Sequence, residues 1–307
     1  MYNSGILCKF ATEIATRNMK FRTEIPTPEY PFHISYQDKL MLLGSCFSDH
    51  IGNFFQEMSF NTLSNPFGTL FNPVSIATAL KMCMNPELFN EQYIYFFNEK
   101  WISYAHHGKF SHPNKETFQQ NISQCLNRAH DFLASADYLF LTFGTAYCYR
   151  LIERNLIVAN CHKIPANRFE KKLFTVEQIT DIYRELLPQL LQFNPKLKVI
   201  FTVSPVRHLG DGFHENQISK ATLHLSINQL IDNKSTFYFP SYEMVQDDLR
   251  DYRFYATDLC HPSEAAVTYI SEKLTDAFFT KETLERMKEV VKENKAKGHI
   301  PLTGVRE

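Results

Sequence analysis

Short apolar runs recur along the chain at 39–43, 138–143, 199–203 and 236–239, with a weaker one at 60–63, without the strict alternation of a half-exposed strand. Runs of this kind suit strands covered on both faces. Helical signals separate them. Asn72 followed by Pro73 is a cap with proline at the first helical position, and Ile76, Leu80, Cys83 and Met84 then share a stripe. Thr175 and Gln178 make a capping-box pair ahead of Ile179, Ile182, Leu186 and Leu190, and Pro188 is expected to kink or split that helix. Ser263 caps a third stripe, Ala266, Ile270, Leu274 and Phe278. Alternation of strand and helix predicts βαβ units and an α/β fold whose mostly parallel sheet has five strands.

Two segments break that rhythm. Residues 89–113, rich in aromatics around Trp101, read as a loop or small β insertion, and 147–165 alternate about Arg154-Asn155 as a hairpin does. No repeat, linker or charge block divides the chain, so residues 21–280 are read as one domain. Residues 1–20 form an extension in which Met19 is an alternative start, and 281–307 are a charged tail, helical over 281–297.

Composition narrows the possible partners. With 32 Lys+Arg against 33 Asp+Glu and no basic stripe, the charge argues against a nucleic-acid partner held through phosphates. The seven cysteines are odd in number and scattered, with no C-x-x-C pair, so neither a disulfide framework nor a metal centre is expected. The N-terminus lacks the basic and apolar regions of a signal peptide, and a cytoplasmic location follows as the expectation. Residues 58–80 carry no charge, but Asn61, Asn65, Pro66, Gly68, Asn72 and Pro73 interrupt them, so no membrane span is predicted.

Candidate chemistry sits at two places. The first strand ends in Gly44-Ser45-Cys46-Phe47-Ser48 and an amphipathic stretch follows at once, which places a nucleophile at a helix N-terminus. Taken alone, the triplet is equally a helix cap, Ser45, beside a small buried thiol. Near the other end, Asp258-Leu259-Cys260-His261-Pro262-Ser263 follows the last strand and precedes the last amphipathic helix. An Asp three residues before a His in a turn can orient the imidazole.

The conjunction of these two blocks resembles the SGNH/GDSL hydrolase superfamily, and residues 44–48 are similar in detail to its GSCFA-domain branch. Further matches to that branch are Asn65-Pro66-Phe67-Gly68-Thr69, Phe143-Gly144-Thr145-Ala146, Ala159-Asn160-Cys161-His162-Lys163 and Ser204-Pro205-Val206-Arg207-His208. The resemblance covers roughly residues 20–280. It implies a flavodoxin-like three-layer α/β/α fold and hydrolysis of an ester or acyl group, with no cofactor and a small-molecule or carbohydrate ester as substrate. Cys46 inherits the nucleophile position, Ser45 is the second candidate, and His261 and Asp258 complete the arrangement.

One departure matters. The superfamily's third block supplies a side-chain Asn to the oxyanion hole, whereas this chain reads Gly144-Thr145-Ala146-Tyr147. The expected donors are then the N–H groups of Cys46 and Gly68, with Asn65 or Asn160 in place of the lost amide. Gly144, Thr145, His162, Arg207 and His208 are expected to line the site. His106, His107 and His112 read as loop histidines rather than metal ligands, and Trp101 with its aromatic neighbours as the insertion's own core. Two further readings remain open at this point: a ligand-binding protein that has lost turnover with the oxyanion Asn, and an acyltransferase.

Overall fold

The structure is a computed structural model, and it describes residues 22–298. The N-terminal extension 1–20 and the end of the tail lie outside these residues. The chain runs β1 (Lys39–Gly44), α1 (Cys46–Glu57), β2 (Asn61–Ser64), α2 (Pro73–Met84), β3 (Ile94–Phe97), β4 (Lys100–Ser103), α3 (Lys115–Ser135) and β5 (Tyr138–Phe143). It continues with β6 (Tyr147–Leu151), β7 (Leu156–Val158), β8 (Phe169–Leu173), α4 (Val176–Phe193), β9 (Lys198–Val203), α5 (Phe213–Asn228), β10 (Thr236–Tyr238), α6 (Glu264–Phe278) and α7 (Lys281–Gly298).

Five strands form a parallel sheet in the order β10-β9-β5-β1-β2. In order of appearance this is 5-4-3-1-2, the flavodoxin-like order, and its direction reverses between β1 and β5. The period-2 geometry of the strands makes three layers. Met41, Leu43, Leu139, Leu141, Val199 and Phe201 join the core under α2, α3, α4 and α5. Their neighbours Leu40, Leu42, Tyr138, Phe140 and Ile200 face the other way, onto α1 and α6. No helix among the described residues is long and apolar enough to cross a membrane.

The insertions are antiparallel. Residues 89–113 contain the β3-β4 hairpin, with Trp101 opposite Phe96. The hairpin about Arg154-Asn155 pairs β6 with β7, and Asn155 takes the left-handed conformation at its turn (φ 49). A third strand, β8, pairs with the other edge of β6, a partner that the alternation of 147–165 did not include. Pro188 neither splits nor ends α4, which runs through it.

Candidate active site

Strand β1 delivers its last residues to the carboxyl edge of the sheet, at the reversal of strand order, where open α/β sheets place ligands. Gly44 is required there by its backbone: φ is 147, and a Cβ would overlap the Thr142 carbonyl of β5. Ser45 caps α1, its Oγ accepting the Phe47 N–H at 3.3 Å, and it is fully buried. Its hydroxyl serves as the helix cap. Cys46 is the first residue of α1 and half-buried.

The helix N-terminus does not leave the thiol acidic. Burial, and then the Asp49 carboxylate one turn along, push the Cys46 thiol up, against the N–H groups of Cys46 and Phe47 and the Lys220 ammonium, which lower it. Asp49 is held in place by Asn65 Nδ2 (2.8 Å) and Thr69 Oγ1 (3.3 Å). The same Asn65 accepts the Gly44 N–H on Oδ1 at 2.9 Å.

Among the expected oxyanion donors, the Gly68 N–H is spent on the Asn65 carbonyl at 2.8 Å, whereas the Asn65 amide uses Oδ1 for the Gly44 N–H and one of its two Nδ2 hydrogens for Asp49. Asn160 Oδ1 accepts the His162 N–H (2.7 Å), and His162 Nε2 meets the Ser103 carbonyl (2.7 Å), so both are tied to the β3-β4 insertion. The N–H groups of Gly144 and Thr145 both donate to the Phe71 carbonyl, at 2.8 and 2.9 Å. Thr145 Oγ1 is 3.0 Å from Ser219 Oγ. Of the expected donors, the Cys46 N–H is the one that faces the sulfur.

The second block forms a compact loop. Asp258 Oδ2 lies 2.6 Å from His261 Nδ1, and Oδ1 accepts the N–H groups of Cys260 (2.9 Å) and His261 (3.0 Å). Those two backbone donors, then the imidazole, hold the Asp258 carboxyl well below the usual carboxylate range. With Nδ1 so engaged, Nε2 is the nitrogen left to exchange a proton. The loop is bolted to the end of β9: Arg207 donates its N–H to the Cys260 carbonyl (3.0 Å) and Nη1 to the Leu259 carbonyl (3.1 Å).

Next to Arg207, His208 points inward. A Cβ on Gly144 would lie 3.3 Å from Ser45 Cβ and 3.4 Å from His208 Nε2, which puts this imidazole against the peptides beside Cys46. The His208 Nε2 atom is buried and has no hydrogen-bond partner.

Beneath these loops lies a residue that sequence reading missed. Lys220 of α5 is 2% exposed, and its Nζ donates to the carbonyls of Gly144 and Ser204, both at 2.7 Å. Burial, only partly offset by Cys46, brings its pKa down to about 7. Buried lysines are rare without such partners. The available signal was spacing: Asn216, Ser219, Lys220, Leu223 and Ile227 share the buried face of α5, but its first turns are polar where an apolar stripe was sought.

The comparisons with known proteins decide the family. The model of the GSCFA family matches residues 39–274.

The chain belongs to the GSCFA family.

The matched span holds both candidate blocks and every strand of the central sheet. No curated protein matches the chain. Among solved structures it is similar to a carbohydrate esterase family 3 protein from Talaromyces cellulolyticus, with 9% identity and a TM-score of 0.38 over 82% of this chain and 99% of that one. It is also similar to an acetyl-xylooligosaccharide esterase from Geobacillus Stearmophilus, with 12% identity and a TM-score of 0.38 over 80% of this chain and 95% of that one. An acetyl xylan esterase from Butyrivibrio proteoclasticus shows 11% identity and a TM-score of 0.39 over 79% of this chain and 64% of that one.

Proposed function

We propose that this GSCFA protein hydrolyses small-molecule or carbohydrate esters through Cys46, with His261 as base and Asp258 as its orienting carboxylate. The observation that carries the reading is the Asp258–His261 pair, joined by two hydrogen bonds, braced by a third from the Cys260 N–H, and tied through Arg207 to the sheet edge at which Cys46 emerges. In the first step the Cys46 thiol proton passes to His261 Nε2, sulfur adds to the ester carbonyl carbon, and collapse of the adduct expels the alcohol, which takes that proton. In the second, His261 removes a proton from water, hydroxide adds to the thioester, and the carboxylic acid leaves as the thiol re-forms. Because burial and Asp49 raise the thiol, the base is needed in the first step as it is in a serine hydrolase.

Turnover of short-chain aryl esters by the wild type, Cys46→Ala, Ser45→Ala and His261→Ala tests this. Loss of activity in Cys46→Ala and His261→Ala, with Ser45→Ala still turning over, is the expected pattern. Full activity in Cys46→Ala rejects the mechanism. Water rather than an alcohol as acceptor belongs to the same proposal, and release of free acid from the ester is its check.

A further inference from the structure

The amide missing after β5 has a counterpart after β9. The His208 ring is set edge-on against Phe71 (centroids 5.7 Å apart, 81° between planes), and its backbone N–H is fixed on Asn216 Oδ1 at 2.9 Å. That anchoring leaves Nε2 buried and unpartnered, close to Gly144, whose other neighbour is Ser45 of the nucleophile turn. A buried polar nitrogen without a partner is costly to keep, and one facing a reaction centre is explained by a partner that comes with the substrate.

We propose that His208, as the neutral tautomer carrying its proton on Nε2, donates the second hydrogen bond to the oxyanion that forms when Cys46 attacks an ester, with Lys220 as its positioning residue. This rests on the thiol-hydrolase reading and adds the residue that replaces the absent Asn. As the C–S bond forms, the carbonyl π pair moves onto oxygen. The thiol proton goes to His261, while His208 keeps its own and only hydrogen-bonds the new charge.

The surroundings favour that state. Burial first, then the Lys220 ammonium, brings His208 down to about 4; Asp211 opposes this and His261 adds to it. At neutral pH the ring is therefore uncharged and carries one N–H. Lys220 also joins the end of β5 to the end of β9 through the Gly144 and Ser204 carbonyls, which holds His208 over Gly144. A neutral imidazole donor needs no proton from solvent and does not compete with His261 as the base.

The test uses p-nitrophenyl acetate with the wild type, His208→Phe and His208→Gln. Two probes accompany it: an aryl trifluoromethyl ketone, which adds reversibly to a thiol and creates the same oxyanion, and iodoacetamide, which alkylates Cys46 without one. In His208→Phe, kcat is expected to fall about 10²–10³-fold. Affinity for the ketone falls with it, and KM and the alkylation rate stay within about twofold. Gln, which offers an amide N–H, should recover at least about tenfold of the loss. In nitrogen-labelled wild type the His208 Nε2 proton should move downfield on ketone addition and stay put on alkylation, a readout that needs no variant to fold. Unchanged kcat in His208→Phe, an equal loss of alkylation, or an unmoved Nε2 proton overturns the inference while hydrolysis stands. Absence of both turnover and ketone adduct in the wild type overturns the hydrolase reading and this inference with it.

Discussion

His261 and His208 are the same side chain on two adjoining loops, and their surroundings are opposite. His261 is nearly half exposed and hydrogen-bonded to a carboxylate at 2.6 Å. His208 is half-buried near the Lys220 ammonium, its own Nε2 atom buried and without a partner. An anionic partner stabilises an imidazolium, as a base needs while it holds a proton. A cationic neighbour and burial stabilise the neutral ring, which then serves as a hydrogen-bond donor. Environment, rather than residue type, divides the labour.

The comparison can be broken from either side. His261→Ala should have the largest effect, a fall in kcat of about 10²–10⁴-fold, the range general-base removal produces. Asp258→Asn sharpens it: an amide Oδ1 can still accept the Cys260 and His261 N–H groups, so the loop keeps its form while the imidazole loses its anion. A kcat loss on the order of 10²-fold with little change in Tm is expected for that variant. A Tm collapse with kcat per folded molecule unchanged would make Asp258 a loop staple only.

On the buried side, Lys220 predicts a dependence of stability on pH. Its folded pKa of about 7 lies below the unfolded value, so between these two the unfolded chain binds more protons than the folded one. Wild-type stability should therefore rise from about pH 7 towards pH 10 by a few kcal/mol through this group, fully gained only above the unfolded value and lost as pH falls to about 7. Lys220→Met should flatten that rise, read by denaturant unfolding at pH 7 and pH 9.5. An unchanged slope would show that the buried amine does not titrate there.

Smaller effects follow from packing and charge. Gly144→Ala places a Cβ 2.9 Å from the Phe71 carbonyl and 3.4 Å from His208 Nε2, and should cost about 1–3 kcal/mol while displacing the donor. Retained Tm and kcat would mean that the loop yields. Asp49→Asn removes the carboxylate that raises the Cys46 thiol and should speed its alkylation near neutral pH a few-fold. A slower reaction would reverse the sign of that electrostatic account.

Sequence reading recovered the parallel sheet because β1, β5 and β9 are apolar runs buried on both faces, whereas β2, with the sequence Asn-Thr-Leu-Ser, buries only Leu63. The Asp258–His261 contact was legible because its hydrogen bonds are local, three residues or fewer apart. Helix α3 was legible and overlooked: Phe118, Ile122, Leu126, Ala129 and Leu133 are buried at helical spacing. Helix α5 was not legible by that rule, since it turns Ser219 and Lys220 inward to satisfy loop groups more than 70 residues away and Asn216 onto the nearby His208 N–H. The partners of the expected oxyanion donors were less legible, since Asn65 bridges Gly44 and Asp49 across 16–21 residues of sequence. The raised thiol was not legible because helix position is visible in sequence, whereas burial is not.

The most direct test of the account is intact-mass and peptide mapping of the protein during turnover of an aryl ester, in the wild type and in Cys46→Ala. The account predicts a transient mass increase of one acyl group, mapped to the peptide carrying Cys46 and absent from Cys46→Ala. An acyl group on Ser45 or on another cysteine, or steady turnover by Cys46→Ala, would contradict it.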